Sequence, residues 1–223
     1  MFKDCISSEI ATVVPDAMRE SLEKDIFVFS GMKTYASLRE AASLLRDDKG
    51  VLKSEYNFQK DILKIDETYN KDYLGAERQF ATSSAQGAAK WVSFSKDGDR
   101  YNLQFRTAGD NKVRDSHRKL NLITLPPSHE FWSFYFTPLG WRCRCTTVQV
   151  LKGKYEESDG AEAMTKGDTA TTIIGKDGKN SAEMFRFNPG KDKVIFPPEH
   201  PYNKTQGATE VKKIIQKQAP KSK

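Results

Sequence analysis

The run Pro138-Leu139-Gly140-Trp141-Arg142-Cys143-Arg144-Cys145 restricts the possible folds of this chain more than any other stretch. Tryptophan is costly to leave in water, arginine is costly to remove from it, and a thiol reacts where water reaches it. Packed side by side after a Pro and a Gly, they require a sharp turn that hides some side chains and frees others. The preceding residues add Asp110, Arg114 and His117, and then Leu125-Pro126-Pro127 leading to Phe131-Trp132. The stretch from Tyr101 to Cys145 therefore builds something specific, either a structural clasp or a reaction centre.

The three cysteines, two of them one residue apart, make no disulfide framework and fit a reducing setting such as the cytosol. Met1-Phe2-Lys3-Asp4-Cys5 has no apolar run behind it of the kind a secretory leader needs. No stretch reaches the roughly 18 apolar residues of a membrane span. A net charge of +6 and a pI near 9.1 favour contact with a polyanion, although the Lys and Arg residues are scattered rather than striped.

Ser8 to Leu22 reads as a short helix interrupted at Pro15, and Ile26-Phe27-Val28-Phe29 as a short extended run before Gly31. Tyr35, Leu38, Ala41, Ala42 and Leu45 share a helical face ending near Asp47-Asp48-Lys49-Gly50. Ser54 is placed to cap a second helix carrying Phe58, Ile62 and Ile65. A third, from Asn70 to Phe94, aligns Tyr73, Phe80, Ala81, Ala88 and Trp91 beside small residues that admit a neighbouring backbone. Beyond the turn at Lys96-Asp97-Gly98-Asp99, Tyr101, Leu103 and Phe105 alternate as in a half-buried strand. Asp110 to Leu120 returns to helical spacing, and Thr146 to Leu151 is β-branched and alternating. Lys152 to Ser181 reads as a loop, Met184–Gly190 and Val194–Pro198 as a short hairpin or docking strand, and Lys212 to Lys223 as a frayed basic end. The expected fold class is α+β: a helical N-terminal half packed on a small, mostly antiparallel sheet with a Pro/Trp/Cys-rich loop.

On a helix, Asp110, Arg114 and His117 share a face, and the plain reading is a salt-bridged surface with one hydrogen-bonded imidazole. Cys143 and Cys145 offer soft thiolates. With His117 they supply three ligands of a structural zinc, for which His129 or Asp115 is a candidate fourth. Plain buried thiols or a redox-sensitive pair are the competing readings. Arg142 and Arg144 would lower a thiol pKa or contact phosphate. Trp132, Phe134, Tyr135, Phe136 and Trp141 read as a hydrophobic lid, in preference to a stacking platform for single-stranded nucleic acid. No Ser-His-Asp set, phosphate-binding Gly-rich loop or His-Glu-x-x-His helix is visible, so no catalytic residue is assigned and no enzyme is expected. No nucleic-acid-binding residue is assigned either.

Arg106-Thr107-Ala108-Gly109-Asp110-Asn111-Lys112-Val113-Arg114-Asp115-Ser116-His117, Leu125-Pro126-Pro127, Phe131-Trp132 and Pro138 to Cys145 together resemble the signature of the phage Mu F-like family. These are head morphogenesis or minor head proteins of tailed phages and prophages. The likeness runs over roughly residues 26 to 202. A related branch carries Cys-x-x-Cys where Arg114-Asp115-Ser116-His117 stands here, and with its own Cys-x-Cys it looks metal-stapled. Two of those positions are Arg114 and His117 in this chain, so zinc is the one cofactor suggested and its ligand set is incomplete.

The resemblance implies a division into an N-terminal extension (1–25), the Mu F-like domain (26–151), a flexible loop or insertion (152–182), a segment docking on the core (183–205) and a basic tail (206–223). It implies a virion protein in few copies, at the inner head or portal vertex, and in the host cytoplasm during assembly. Its partners would be portal and capsid proteins, with phage DNA met non-specifically and no membrane. Asp110, Arg114 and His117 would fix the clasp, Cys143 and Cys145 would anchor its return, and Trp132 and Trp141 would be structural. The alternative is a phage-encoded effector, a nuclease or transferase drawing on Arg186, Glu199 and His200 in residues 151–223.

Overall fold

Pro15 begins a helix instead of interrupting one. The computed structural model describes residues 14–219, and the part of the expected first helix before Val14 lies outside them. Pro15 is extended (φ −57°, ψ 147°), and its carbonyl accepts from the N–H groups of Met18 and Arg19 as α1, Asp16–Ser43, starts. A proline is tolerated there because the first helical N–H groups have no partner to lose. The proposed boundary at residue 25 therefore falls inside a helix.

Ile26-Phe27-Val28-Phe29 is helical too, which corrects the extended reading. Leu22, Ile26, Phe29, Met32 and Ala36 recur at steps of three and four and are all buried, so packing overrides the β preference of the run. The buried stripe is not the expected one: Leu38 is 63% exposed and Leu45 42%.

After a turn closed by the Arg46–Leu52 bridge, α2 (Glu55–Asp66) starts at Ser54, whose side chain accepts from the Asn57 N–H. It passes without a break through a π-helical segment, Glu67–Tyr73, into α3 (Leu74–Phe94). The two helices expected here are thus one rod with a widened turn inside it. The small residues of α3 admit neighbours as expected: a Cβ on Gly87 would sit 3.0 Å from the Thr137 carbonyl and 3.3 Å from Pro189 Cγ. A Cβ on Gly190 would sit 2.3 Å from Cβ of Trp91, so only glycine lets α7 (Pro189–Asp192) press on this helix.

The sheet is antiparallel with order β2-β1-β3: β1 Tyr101–Arg106, β2 Thr124–Leu125, β3 Thr146–Leu151. As the central strand, β1 is buried on both faces, so the half-buried expectation is corrected. Its inward polar residues are satisfied: Asn102 donates to Glu157 Oε1 at 2.9 Å and Gln104 to Thr124 Oγ1 at 2.7 Å. Between the strands lie two one-turn helices, α4 (Asp115–Arg118) and α5 (Phe131–Phe134). The architecture is α+β, as the spacing predicts.

The rest of the chain is more ordered than its composition suggests. Residues 152–182 are not simply a loop: α6, Gly160–Ala170, is capped by Asp159 and buries Ala163 and Ala170. The expected hairpin at 184–198 is instead a 3-10 turn, Glu183–Phe185, followed by α7. It does dock, with Phe185, Phe187, Ile195 and Phe196 buried against α1 and α3. The tail forms α8, Ala208–Gln218, whose Ile215 covers Gly31 of α1. Two apolar cores result. One joins α1, α3 and the C-terminal segment; the other joins the sheet, α5 and α6. Among the described residues no helix is long and apolar enough to cross a membrane.

One half-buried acid ties the C-terminal segment to α1. Asp25 Oδ2 accepts the N–H groups of Ile195 (2.8 Å) and Phe196 (2.9 Å). Burial pushes its carboxyl up to about 6, against the pull of those donors and of Lys212. A raised carboxyl pKa means the folded state holds the proton longer than the unfolded one. The penalty is absent below about pH 4 and complete once pH passes about 6. Asp25→Asn, which keeps an acceptor, should therefore flatten the loss of stability between these limits and add up to ~3 kcal/mol at pH 7. Urea unfolding across pH 4–8 checks this, and an unchanged pH slope would refute it.

Candidate functional site: a His-Cys-Cys cluster at a strained turn

Asp110, Arg114 and His117 do not lie on one helix. Only Asp115–Arg118 is helical, because Asp110 accepts the Lys112 N–H through its side chain (2.9 Å) and holds a turn there. Arg114 is extended at the helix start (φ −59°, ψ 139°). Even so, all three side chains reach the turn Gly140–Cys145.

Asp110 takes both arms of the Arg144 guanidinium, and that partner holds its carboxyl down to about 2. Arg114 donates to the Trp141 carbonyl at 2.7 Å. His117 Nδ1 lies 3.7 Å from Cys143 Sγ and 3.8 Å from Cys145 Sγ. These contacts hold a strained backbone: Arg142 has φ 58°, in the left-handed region, and the Cys143 N–H closes on the Gly140 carbonyl at 3.1 Å.

The two sulfurs and Nδ1 all lie within 4.8 Å of one another. Zinc bonds of about 2.3 Å to sulfur and 2.0 Å to nitrogen in a tetrahedron give N···S edges of about 3.6 Å. The observed separations match that edge closely, and the donors are the soft set zinc prefers. His117 and Cys143 are buried and Cys145 is partly so. A hydrogen bond from Cys145, then one from His117, holds the Cys143 thiol well below its ordinary range. The same bond, with burial, pushes Cys145 up. The downward shift at Cys143 favours the thiolate, the form in which a sulfur binds a metal. Both thiols are free. Beside them is a cavity of about 160 Å³ lined by Gln79, Ser83, Lys90 and Arg144 as well as both cysteines.

The other candidates lie elsewhere. His129 accepts the Phe131 N–H (3.1 Å) and packs on Gly160, and Asp115 is a surface partner of Arg118. Neither joins the described cluster, so the expectation of a fourth ligand from them is corrected. Arg142 is exposed, whereas Arg114 and Arg144 are the cations that favour the Cys145 thiolate. Trp132, Phe131, Tyr135 and Phe136 are buried in the sheet-side core, as a lid requires, and only Phe134 of that group is exposed. Trp141 belongs to the other core, edge-on to Phe80 at 4.9 Å and to Phe185 at 5.2 Å. Arg186 is spent on Asp168 and Thr171, Glu199 pairs with Lys204 at the surface, and His200 is buried under α1.

The strain at Arg142 makes a measurable claim. Arg142→Gly should leave stability equal or higher, by up to about 1 kcal/mol, as the Cβ penalty is removed. Arg142→Val should lower it by more than about 1 kcal/mol, since a branched side chain fits this backbone worst. Equal unfolding midpoints for the two would rule out the strain.

Residues 50–148 match the model of the family described as Phage Mu protein F like protein. No curated protein and no solved structure matches the chain. The matched stretch is narrower than the resemblance read from the motifs. It runs from the turn before α2 into β3 and contains every residue of the cluster and its latch, so this part of the chain is similar to the Phage Mu F-like family.

Proposed function

We propose that the protein is a minor head component of a tailed phage or prophage, placed at the inner head or portal vertex. In this reading its turn is stapled by one zinc ion on His117, Cys143 and Cys145. The family match carries the first part, because it covers the stretch that builds the cluster and the latch around it. A surface feature supports a role in assembly. The helical hairpin ends in exposed apolar residues: Leu45 (42%), Val51 (60%), Leu52 (65%) and Tyr56 (74%). Apolar residues gathered at one tip mark a protein contact more often than chance exposure. Portal or capsid proteins are the partners proposed for it, and the net charge of +6 suits added, non-specific contact with packaged DNA.

The role of the metal would be structural. Bound there, zinc would cross-link α4 to the Gly140–Cys145 turn and remove the reactivity of the partly buried Cys145 thiol. The residues themselves set the donors: Asp110–Arg144 and Arg114–Trp141 hold the turn in register so that both sulfurs face the imidazole.

Two measurements test the two parts separately. Elemental analysis of the purified protein should find about one zinc per chain. Cys143→Ser with Cys145→Ser should lose the metal and melt roughly 5 °C lower, the shift that ~2 kcal/mol gives in a chain of this size. Metal-free wild-type protein with an unaltered melt in the double variant would rule out the staple. For the first part, quantitative mass spectrometry of purified particles and procapsids should find a few copies in each. Leu45→Glu with Tyr56→Glu should reduce incorporation at least tenfold while leaving thermal unfolding unchanged. Absence from both kinds of particle, with the protein free in the cell, would overturn the virion assignment.

A further inference from the structure

Apart from the Trp132 lid, a second group of rings borders a cavity of about 640 Å³ that Trp141 helps to line. That volume lies in the usual range for small-ligand pockets, roughly 300–1,000 Å³. One wall is a continuous chain of rings. Tyr73 meets Tyr69 (5.6 Å), Tyr69 stacks over Tyr202 (5.9 Å), Tyr202 meets His200 (4.2 Å), and His200 meets Trp141 (5.7 Å). The widened π-helical turn supplies the first two rings, and such turns recur at functional sites.

The polar groups narrow the ligand. Glu77 lines the cavity, but Lys33 meets its charge. Arg39 and Glu40 are both in the lining; Arg39 donates to Gln206 Oε1 (2.7 Å), and Glu40 accepts the Tyr69 hydroxyl (3.0 Å). The charges cancel, so nothing there balances a charged ligand. His200 is only 6% exposed. Its Nδ1 accepts the Tyr202 N–H at 3.2 Å, which leaves the proton of the neutral ring on Nε2. Burial, with Lys33 nearby, pushes its pKa down to about 4, so the ring stays neutral. No described residue accepts from that Nε2–H, and His200 lines the cavity, so the donor is open to a ligand there.

We propose that this cavity is a docking pocket for a neutral aromatic side chain, tyrosine above all, presented by a partner polypeptide. The ring would pack on the Tyr69–Trp141 wall, and its hydroxyl would accept from His200 Nε2. A nucleotide fits less well, because the lining sets one carboxylate, Glu40, against its one cation, Arg39, which already donates to Gln206. The inference needs only these residues and stands independently of the phage-head assignment.

The test is a methyl-NMR titration of the full chain, following Met184 and Ala76, which both line the cavity. N-acetyl-tyrosinamide should give saturable shifts, and N-acetyl-phenylalaninamide should bind about fivefold more weakly for want of one neutral hydrogen bond. Thymidine monophosphate and tetramethylammonium should bind more weakly still. Ala76→Trp, which fills the cavity from a half-buried position, should abolish the shifts. Tyr73→Ala, which removes an exposed ring, should weaken binding without altering the melt. Absence of saturation, shifts that survive Ala76→Trp, or preference for the nucleotide or the ammonium ion would each overturn the proposal. Equal binding of the tyrosine and phenylalanine amides would overturn the role given to His200.

Discussion

A lysine amine buried between helices has to be answered where it lies, and much of this structure is arranged around Lys33. Its Nζ bonds to Glu77 of α3 and, at 2.7 Å, to the Tyr69 carbonyl inside the π-helical turn. Glu77 also accepts the Tyr202 hydroxyl at 2.9 Å. Helix α1, the rod α2–α3 and the C-terminal segment therefore meet at one polar node inside an otherwise apolar core. An apolar replacement of the whole node would be about as stable, but removing one member strands a charge. The node therefore fixes register more than it adds stability, because sliding α1 by one turn would leave Lys33 and Glu77 unpaired.

The same node reaches the functional surface. Together with burial, Lys33 keeps His200 neutral, and Tyr202 stacks between His200 and Tyr69. Trp141 closes that ring wall, and it is held from behind by Arg114 through its own carbonyl. The turn that sets Cys143 and Cys145 against His117 thus also sets a wall of the aromatic cavity. One short segment with a strained arginine serves both, so a change at the cluster should be felt across Trp141 in the cavity.

The parts of this architecture that rest on local chemistry were legible in the sequence. Ser54 announces its helix, Thr146 to Leu151 its strand, and the pair Cys143/Cys145 with His117 its cluster. What failed depended on partners distant in the chain. Ile26 to Phe29 has the composition of a strand and becomes helical because α3 and the C-terminal segment cover it. Asp110 to His117 has helical spacing, yet Asp110 spends its carboxylate on Lys112 and Arg144 and the helix shrinks to one turn. The tail is too polar to form a helix on its own, but Ile215 and Val211 rest on the core and α8 forms. His129 and Asp115 are candidates for a fourth ligand by residue type alone, and residue type says nothing of direction. The aromatic cavity went unread because its rings come from Tyr69, Trp141 and Tyr202, far apart in sequence.

That separation bears on what the family match can mean. Residues 50–148 supply Tyr69, Tyr73, Glu77 and Trp141, together with the whole His-Cys-Cys cluster. Lys33, Arg39 and Glu40 precede the matched stretch, and His200 and Tyr202 follow it. The matched stretch alone would expose Phe80 and Ala85, whose cover is α1 and the Phe185–Phe196 segment, and would leave Glu77 without its lysine. The cluster can therefore belong to the domain as such, since every contact that builds it lies within the match. The cavity belongs to this chain's particular completion of the domain. A feature closed by flanking helices is free to change with them, and so it is there, more than in the cluster, that partner choice would be written.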